Sequence, residues 1–168
     1  MKKQIITFMI FAIALCGVAA VVLLNHLEGT KNTFETDLRI ERNGVTTEKL
    51  EVTDLALIPG SQTEYTVNMT CRIGGTYDLT LTFEEQKESP LKDYVVIELV
   101  HDGKILETAW LKDVLAGEPL SSQCYLSEDV SSRLVVRFRM PEEVGDEAKG
   151  LDAAFDVNLK IAMNMETK

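Results

Sequence analysis

The sequence is poor in the residues and motifs that most enzymes use. It contains two histidines, His26 and His101. It has no His-Glu-x-x-His pair, no Gly-x-Ser-x-Gly elbow and no glycine-rich phosphate loop. A Ser-His-Asp triad would have to use His101, which stands beside a predicted turn and is expected to be a solvated strand-end residue. We therefore expect no catalytic residues, no metal ligands and no cofactor.

Calcium-loop spacing is also missing. The acidic clusters at 84–88 and 142–147 lack the alternating Asp/Asn pattern that supplies six or more oxygen ligands to calcium. We expect both clusters to be solvated. No cleft can be argued from the sequence that would turn such carboxylates into an acid–base pair.

Cysteine is scarce as well, with three in the chain. Cys16 lies in an apolar N-terminal run, which leaves Cys71 and Cys124 outside it. These two could form one disulfide in an oxidising compartment. They could equally pack as two separate buried thiols, because a free cysteine behaves as a small hydrophobe. In either case Cys71 is expected on the dry face of its strand.

One long apolar run is present, at the N-terminus. Lys2 and Lys3 precede an uncharged stretch from Ile5 to Leu24, about the 20 residues that one membrane-spanning helix needs. Residues 1–24 are therefore predicted to be a transmembrane signal-anchor or a signal peptide. Residues 25–31 are predicted to be a polar tether, and residues 32–164 an extracytoplasmic domain.

The fate of this segment has three alternatives. It is an uncleaved anchor, a signal cleaved late near His26 to Thr30, or a lipoprotein signal that ends at Cys16. The lysines before the run favour a cytoplasmic N-terminus. We expect a single-pass cell-membrane protein with an extracytoplasmic C-terminal domain, or a protein secreted after cleavage.

Positive charge is sparse in the remainder. Without Lys2 and Lys3, the chain has 15 basic and 27 acidic side chains, a formal net charge of −12. Like charges repel over roughly a Debye length. We therefore do not expect nucleic acid as a partner. The negative charge is typical of a solvated extracellular domain.

Helical periodicity is almost absent, and period-two alternation dominates from Phe34 onward. We count eight or nine strands and expect two packed antiparallel sheets. Hairpin turns are predicted at Asn43-Gly44 and Asp102-Gly103, because both central residues of such turns need positive φ. The segment Lys112 to Val130 is the least regular and is expected to contain a short helix or a loop around Asp113 to Glu118. Strands are predicted around Phe34–Ile40, Leu50–Val52, Tyr65–Ile73 and Tyr77–Phe83 (a further hairpin), Val95–Val100 (a central strand), Ile105–Leu111, Leu134–Met140 and Phe155–Met163.

Two features outside the core pattern each have two interpretations. Trp110, the only tryptophan, either packs in the core or on a hairpin, or is exposed in a groove as a platform for a sugar or peptide. Arg133, Arg137 and Arg139 share one face of a predicted strand. They either pair with acidic neighbours across the sheet or form a cationic stripe that docks an acidic surface of another copy.

Several short segments resemble the camelysin/TasA-like exported proteins of Gram-positive bacteria. They are the Asn-x-Phe…Leu-x-Ile pattern of Asn32 to Ile40, the Leu-x-Pro-Gly-like segment Leu57 to Ser61, and Met140-Pro141 with Gly145, Gly150, Phe155 and Val157. The resemblance implies a jelly-roll-like sandwich, and its members include subunits of biofilm-matrix fibres. In those fibres an N-terminal strand of one subunit completes the sheet of the next. Camelysin is also described as a protease, but this sequence shows no zinc-ligand set.

The sequence thus predicts an all-β, two-sheet antiparallel sandwich of jelly-roll type, preceded by one N-terminal transmembrane or signal helix. The predicted function is an exported structural or adhesive surface protein that assembles by donating the strand of Phe34, Leu38 and Ile40. The alternatives are a camelysin-type surface metalloprotease and a ligand- or glycan-binding module. The expected partners are the membrane, through the N-terminal helix, and other copies or other surface proteins.

Overall fold

Nine β-strands account for most of residues 33–40 and 45–164, which the computed structural model describes. The predicted membrane segment and polar tether lie outside these residues. Within them, no helix is both long and apolar enough to span a bilayer. The strands are β1 (Thr33–Ile40), β2 (Val45–Ala56), β3 (Gln62–Cys71), β4 (Gly75–Lys87), β5 (Val96–His101), β6 (Lys104–Trp110), β7 (Leu120–Leu126), β8 (Ser132–Arg139) and β9 (Asp152–Met163).

Helical structure in this part of the chain is short. One α-helix, α1, covers Leu111–Leu115, and two 3-10 turns cover Pro90–Asp93 and Asp146–Ala148. The segment predicted to be irregular therefore contains most of α1, which overlaps the expected short helix or loop, and a strand, β7, that the sequence did not reveal. The inward positions of β7 include Ser122 between buried Leu120 and Cys124, and this polar residue interrupts the apolar alternation.

The strands form two sheets, which confirms the predicted sandwich. The five-stranded sheet has the order β1-β3-β8-β5-β6, and the four-stranded sheet has the order β2-β9-β4-β7. Every pairing is antiparallel except that of β1, which runs parallel to β3 from Thr33 opposite Glu64 to Ile40 opposite Cys71. The expectation of purely antiparallel sheets is therefore wrong at β1.

Of the predicted hairpins, the one at Asp102-Gly103 is confirmed. It joins β5 to β6, and both residues have positive φ, at 45° and 82°. The predicted hairpin between β3 and β4 is wrong, because these strands lie in opposite sheets. The hairpin between β1 and β2 is wrong for the same reason, although residues 41–44 lie outside the described part.

The core lies between the inward faces of the two sheets. Phe138 of β8 and Phe155 of β9 meet across it with ring centroids 5.3 Å apart, and Tyr65 of β3 packs edge-on against Phe138 at 5.8 Å. Both phenylalanines are at most 1% exposed. Burying such a side chain contributes about 1.5–3 kcal/mol, so these contacts hold the sheets together.

Cys71 and Cys124 are both buried, as predicted. Cys71 ends β3 in one sheet, and Cys124 lies in β7 of the other, directly opposite Tyr77 of β4. Both thiols are free, and the Cys71 Sγ donates to the Ser127 carbonyl at 3.3 Å. The disulfide between them stays a prediction.

Alkaline pH is expected to destabilise the fold through this cluster. Burial raises the pKa of Cys124 from 9.0 to about 11 and that of Tyr77 from 10.0 to about 12. Because the folded values exceed the unfolded ones, the stabilisation is complete below about pH 9 and is lost as pH rises to 11–12. For Cys124 alone this loss is roughly 2 kcal/mol. Urea unfolding between pH 7 and 11 measures it.

The control for that experiment is Cys124→Ala. This variant cannot titrate at position 124, so its stability should fall less steeply with pH than that of the parent protein. Parallel pH profiles for the two proteins would show that the Cys124 thiol is not the titrating group.

Candidate functional site

A groove opens at one end of the five-stranded sheet, on the face turned away from the core. We call it the Trp110 groove. It is largely open to solvent and has a volume of about 580 Å³, within the range of roughly 300–1,000 Å³ that small-molecule sites occupy. Its lining residues are Asp93, Tyr94, Val96, Trp110, Arg139, Pro141, Glu143, Val144 and Glu147.

The floor of the groove is set by strand register. Val96 of β5 stands between Arg139 of β8 on one side and Trp110 of β6 on the other. Residues paired directly across strands project from the same face of a sheet. The sheet therefore places a guanidinium, an isopropyl group and an indole in one row.

Trp110 is held at a junction between two elements. It ends β6 with an extended backbone, and α1 begins at the next residue, Leu111, which is fully buried and donates its N–H to the Val95 carbonyl at 2.9 Å. The backbone is thus fixed on both sides while the side chain remains 41% exposed. The interpretation of Trp110 as a core residue is wrong, whereas packing on the β5–β6 hairpin and exposure in a groove both fit the structure.

The wall of the groove comes from the connection between β8 and β9. Met140 anchors the start of this connection, because its N–H donates to the Ser61 carbonyl and its own carbonyl accepts from the Gly60 N–H, both at 3.0 Å. Ala148 anchors the far end and is fully buried. Between these anchors Glu143, Val144 and Glu147 face the groove.

The electrostatic balance of the groove is acidic. Asp93, Glu143 and Glu147 supply three carboxylates, against the single guanidinium of Arg139. Arg139 Nε also lies 3.3 Å from Glu98 Oε1, so part of its charge is compensated. The cluster at 142–147 was predicted to be merely solvated, and the structure places two of its members on the groove wall.

The arginine stripe lies on the outer face, as predicted, and its members have acidic or polar partners. Arg137 is held between Glu64 at 2.9 Å and Glu98 at 2.8 Å. Burial disfavours the charged guanidinium, but these two carboxylates outweigh it and raise the pKa of Arg137. Arg133 donates to Thr66 Oγ1 at 3.2 Å. Cross-strand pairing therefore accounts for these contacts, and docking of another copy stays a prediction.

The expectation of a solvated His101 is wrong, because its side chain is 13% exposed. Its Nε2 contacts Ser132 Oγ, and the Ser132 hydroxyl donates to Asp102 Oδ2 at 2.9 Å. In a Ser-His-Asp triad the histidine accepts the serine proton and the carboxylate binds the other ring nitrogen. Here Asp102 Oδ2 accepts the hydrogen bond from Ser132 and lies 3.5 Å from the same Nε2 of His101, so the three side chains do not have the order of a triad.

This cluster ties the β5–β6 turn to β8. Asp102 Oδ1 also accepts the Arg133 N–H at 2.8 Å. Burial alone would raise the pKa of Asp102, but the hydrogen bonds from Arg133 and Ser132, with His101 nearby, bring it below the ordinary value. Within residues 33–40 and 45–164, no group of three or more His, Cys, Asp or Glu side chains is placed to hold a metal ion.

The predicted assembly strand is β1, at the edge of the five-stranded sheet. Leu38 and Ile40 point into the core and are buried, whereas Phe34 is 55% exposed. The Phe34 ring stacks on Tyr65 of β3 with centroids 4.7 Å apart. In this chain β1 thus completes its own sheet.

No family model matches the sequence, and no curated protein matches it. Among solved structures, the chain is similar to the C-terminal domain of EclA, a sugar-binding protein, at 19% identity and a TM-score of 0.40, over 69% of this chain and 78% of that one. It is also similar to the CBM36-1 domain of a xylanase from the hindgut metagenome of Trinervitermes trinervoides, at 14% identity and a TM-score of 0.37, over 71% and 98%. A third is PliG of Aeromonas hydrophila, a periplasmic lysozyme inhibitor, at 10% identity and a TM-score of 0.36, over 77% and 98%. All three TM-scores are below 0.5, so these likenesses carry no functional argument.

Proposed function

We propose that the protein is a cell-surface binding module that holds its ligand in the Trp110 groove. The observation that carries this proposal is the exposure of Trp110 in a groove with a fixed backbone and convergent polar groups. A concave site that combines an aromatic platform with a few polar groups is the usual form of a small-ligand site. The proposed location, on the outer side of the cell membrane, rests on the lysines and apolar run of residues 1–24 and on the acidic remainder.

The strand order supports the finer proposal that the sandwich is a jelly roll. With β1 set aside, the sheets are β2-β9-β4-β7 and β3-β8-β5-β6. Each strand from β2 to β9 crosses to the opposite sheet from its predecessor, apart from the β5–β6 pair. Eight strands in two such sheets are the pattern of a jelly roll.

Trp110 itself provides the test, because it is the only tryptophan and its fluorescence reports on the groove. We expect some members of a panel of soluble oligosaccharides to shift its emission to shorter wavelength and to protect it from acrylamide quenching. Calorimetric titration of the same sugars should show that Trp110→Ala weakens binding about fivefold or more, since stacking of a flat ligand group, such as a nucleic-acid base, on an aromatic ring contributes about 1–3 kcal/mol.

The matched control is Tyr125→Ala. Tyr125 is another exposed aromatic, 66% exposed, but it lies on β7 in the opposite sheet. It should leave the affinity unchanged. Equal losses in the two variants, or a panel that leaves the Trp110 emission unmoved, would contradict a binding site in this groove.

A second candidate function is assembly into matrix fibres through β1, in the manner of the camelysin/TasA-like proteins. The observation that favours it is the position of β1 as a parallel strand at a sheet edge, with Leu38 and Ile40 filling a slot beside β3. A strand held by one neighbour can be exchanged for the same strand of another copy, because the edge of β3 offers a template of N–H and C=O groups as soon as β1 leaves it.

A further inference from the structure

The charges around the Trp110 groove indicate what kind of ligand it selects. We propose that the groove binds a saccharide with free amino groups, such as an oligomer of glucosamine, in preference to a neutral or anionic sugar. This inference rests on the proposed function, since it names the ligand class of the same groove. It requires that the acidic wall of the groove face the amino groups while the indole holds a sugar ring.

The acidic wall disfavours anions. Asp93, Glu143 and Glu147 are all exposed and all line the groove. A phosphate or uronate would meet three carboxylates, and the one guanidinium present, that of Arg139, is already shared with Glu98. The net charge of −10 on the whole chain repels anions further and attracts cations.

The same wall favours an ammonium group. Two ammonium–carboxylate contacts at about 5 Å in water together correspond to roughly a tenfold gain in affinity. Carboxylates also accept hydrogen bonds from sugar hydroxyls, so the same side chains can contact both groups of an amino sugar. This gain depends on salt, because exposed charges are screened.

The indole explains why the ligand is expected to be a sugar. Trp110 presents a rigid apolar surface for the C–H face of a ring, and its π-system attracts nearby cations. Lys112 Nζ lies 6.0 Å from the centroid of the indole, so the ring already has an ammonium beside it. Lys112 does not line the groove. Trp110 itself lines the groove and is 41% exposed, so part of the indole is accessible to a ligand there.

The test compares two tetrasaccharides that differ in a single group. Tetra-glucosamine and tetra-N-acetylglucosamine share ring stereochemistry and linkage, but the first carries ammonium groups. At mildly acidic pH and low salt, calorimetry should show that tetra-glucosamine binds about tenfold more tightly. High salt should remove most of this preference.

Paired charge variants test whether the preference for tetra-glucosamine arises from the acidic wall of the groove. Glu143→Gln with Glu147→Gln should bring the two affinities together, because it weakens the binding of tetra-glucosamine more than that of the N-acetylated sugar. Glu142→Gln changes the charge of the same connection, but Glu142 does not line the groove, so it should leave the preference intact. All three side chains are exposed, and unchanged melting temperatures will confirm that the variants fold.

The possible outcomes distinguish the preference for an amino sugar from the proposed binding function. Equal binding of both tetrasaccharides, abolished by Trp110→Ala, would overturn the amino-sugar preference and leave the binding site standing. Binding of tetralysine but of neither sugar, again abolished by Trp110→Ala, would make the groove a peptide site and overturn the saccharide class. No Trp110-dependent binding of any of the three probes would overturn the proposed function as well.

Discussion

Replacing Arg137 with methionine is expected to lower the free energy of unfolding by about 2–4 kcal/mol. Its guanidinium lies between two carboxylates that are themselves buried, Glu64 at 7% and Glu98 at 8% exposed. Breaking a buried ion pair from one side costs about 3–5 kcal/mol because it leaves an uncompensated charge. The Arg137 side chain is 26% exposed, and Glu98 keeps its contact with Arg139. Because of these two facts, we expect a loss toward the lower end of the cost of breaking a buried ion pair.

Urea denaturation at neutral pH measures this loss, and two further variants interpret it. Arg39→Met removes an exposed arginine from the outer face of the same sheet and should cost less than about 0.5 kcal/mol. Adding Glu64→Gln and Glu98→Gln to Arg137→Met should recover part of the stability, because no unpaired charge then remains. If Arg137→Met costs no more than Arg39→Met, the ion pairs do not support the fold, and docking becomes the better interpretation of the stripe.

The sequence predicted the faces of the strands well and their partners poorly. Alternation in β8 placed Phe138 inward and Arg137 outward, and the structure confirms both. Alternation is a local property, since successive side chains of a strand point to opposite faces. Pairing is not local: β3 and β4 follow each other closely in sequence, yet each takes its partners from distant strands in opposite sheets.

The candidate site was harder to predict for the same reason. The groove forms where Asp93, Trp110 and Glu143 meet, and no local pattern relates these positions. The burial of His101 likewise depends on Ser132, 31 residues further along the chain. The sequence did offer an exposed Trp110 in a groove as one interpretation, and the structure shows that this side chain is exposed.

Removing β1 is expected to have the largest effect of all. A domain that begins at Val45 lacks two buried side chains, Leu38 and Ile40, whose burial contributes about 1.5–3 kcal/mol each. It also loses the parallel ladder to β3, which leaves a new edge on the five-stranded sheet. We expect the truncated domain to unfold at a much lower urea concentration or to remain unfolded.

A peptide that spans Asn32 to Arg42, added to the folded truncated domain or during its refolding, separates assembly from simple stability. If β1 can be donated between copies, the peptide should bind beside β3 and restore most of the lost stability in a concentration-dependent way. A peptide with Leu38→Asp and Ile40→Asp is the matched control, because neither carboxylate can enter the core without a large desolvation cost. Restoration by the native peptide alone would support fibre assembly. If the native peptide restores nothing, β1 serves its own sheet alone, and a monomeric domain is the better description.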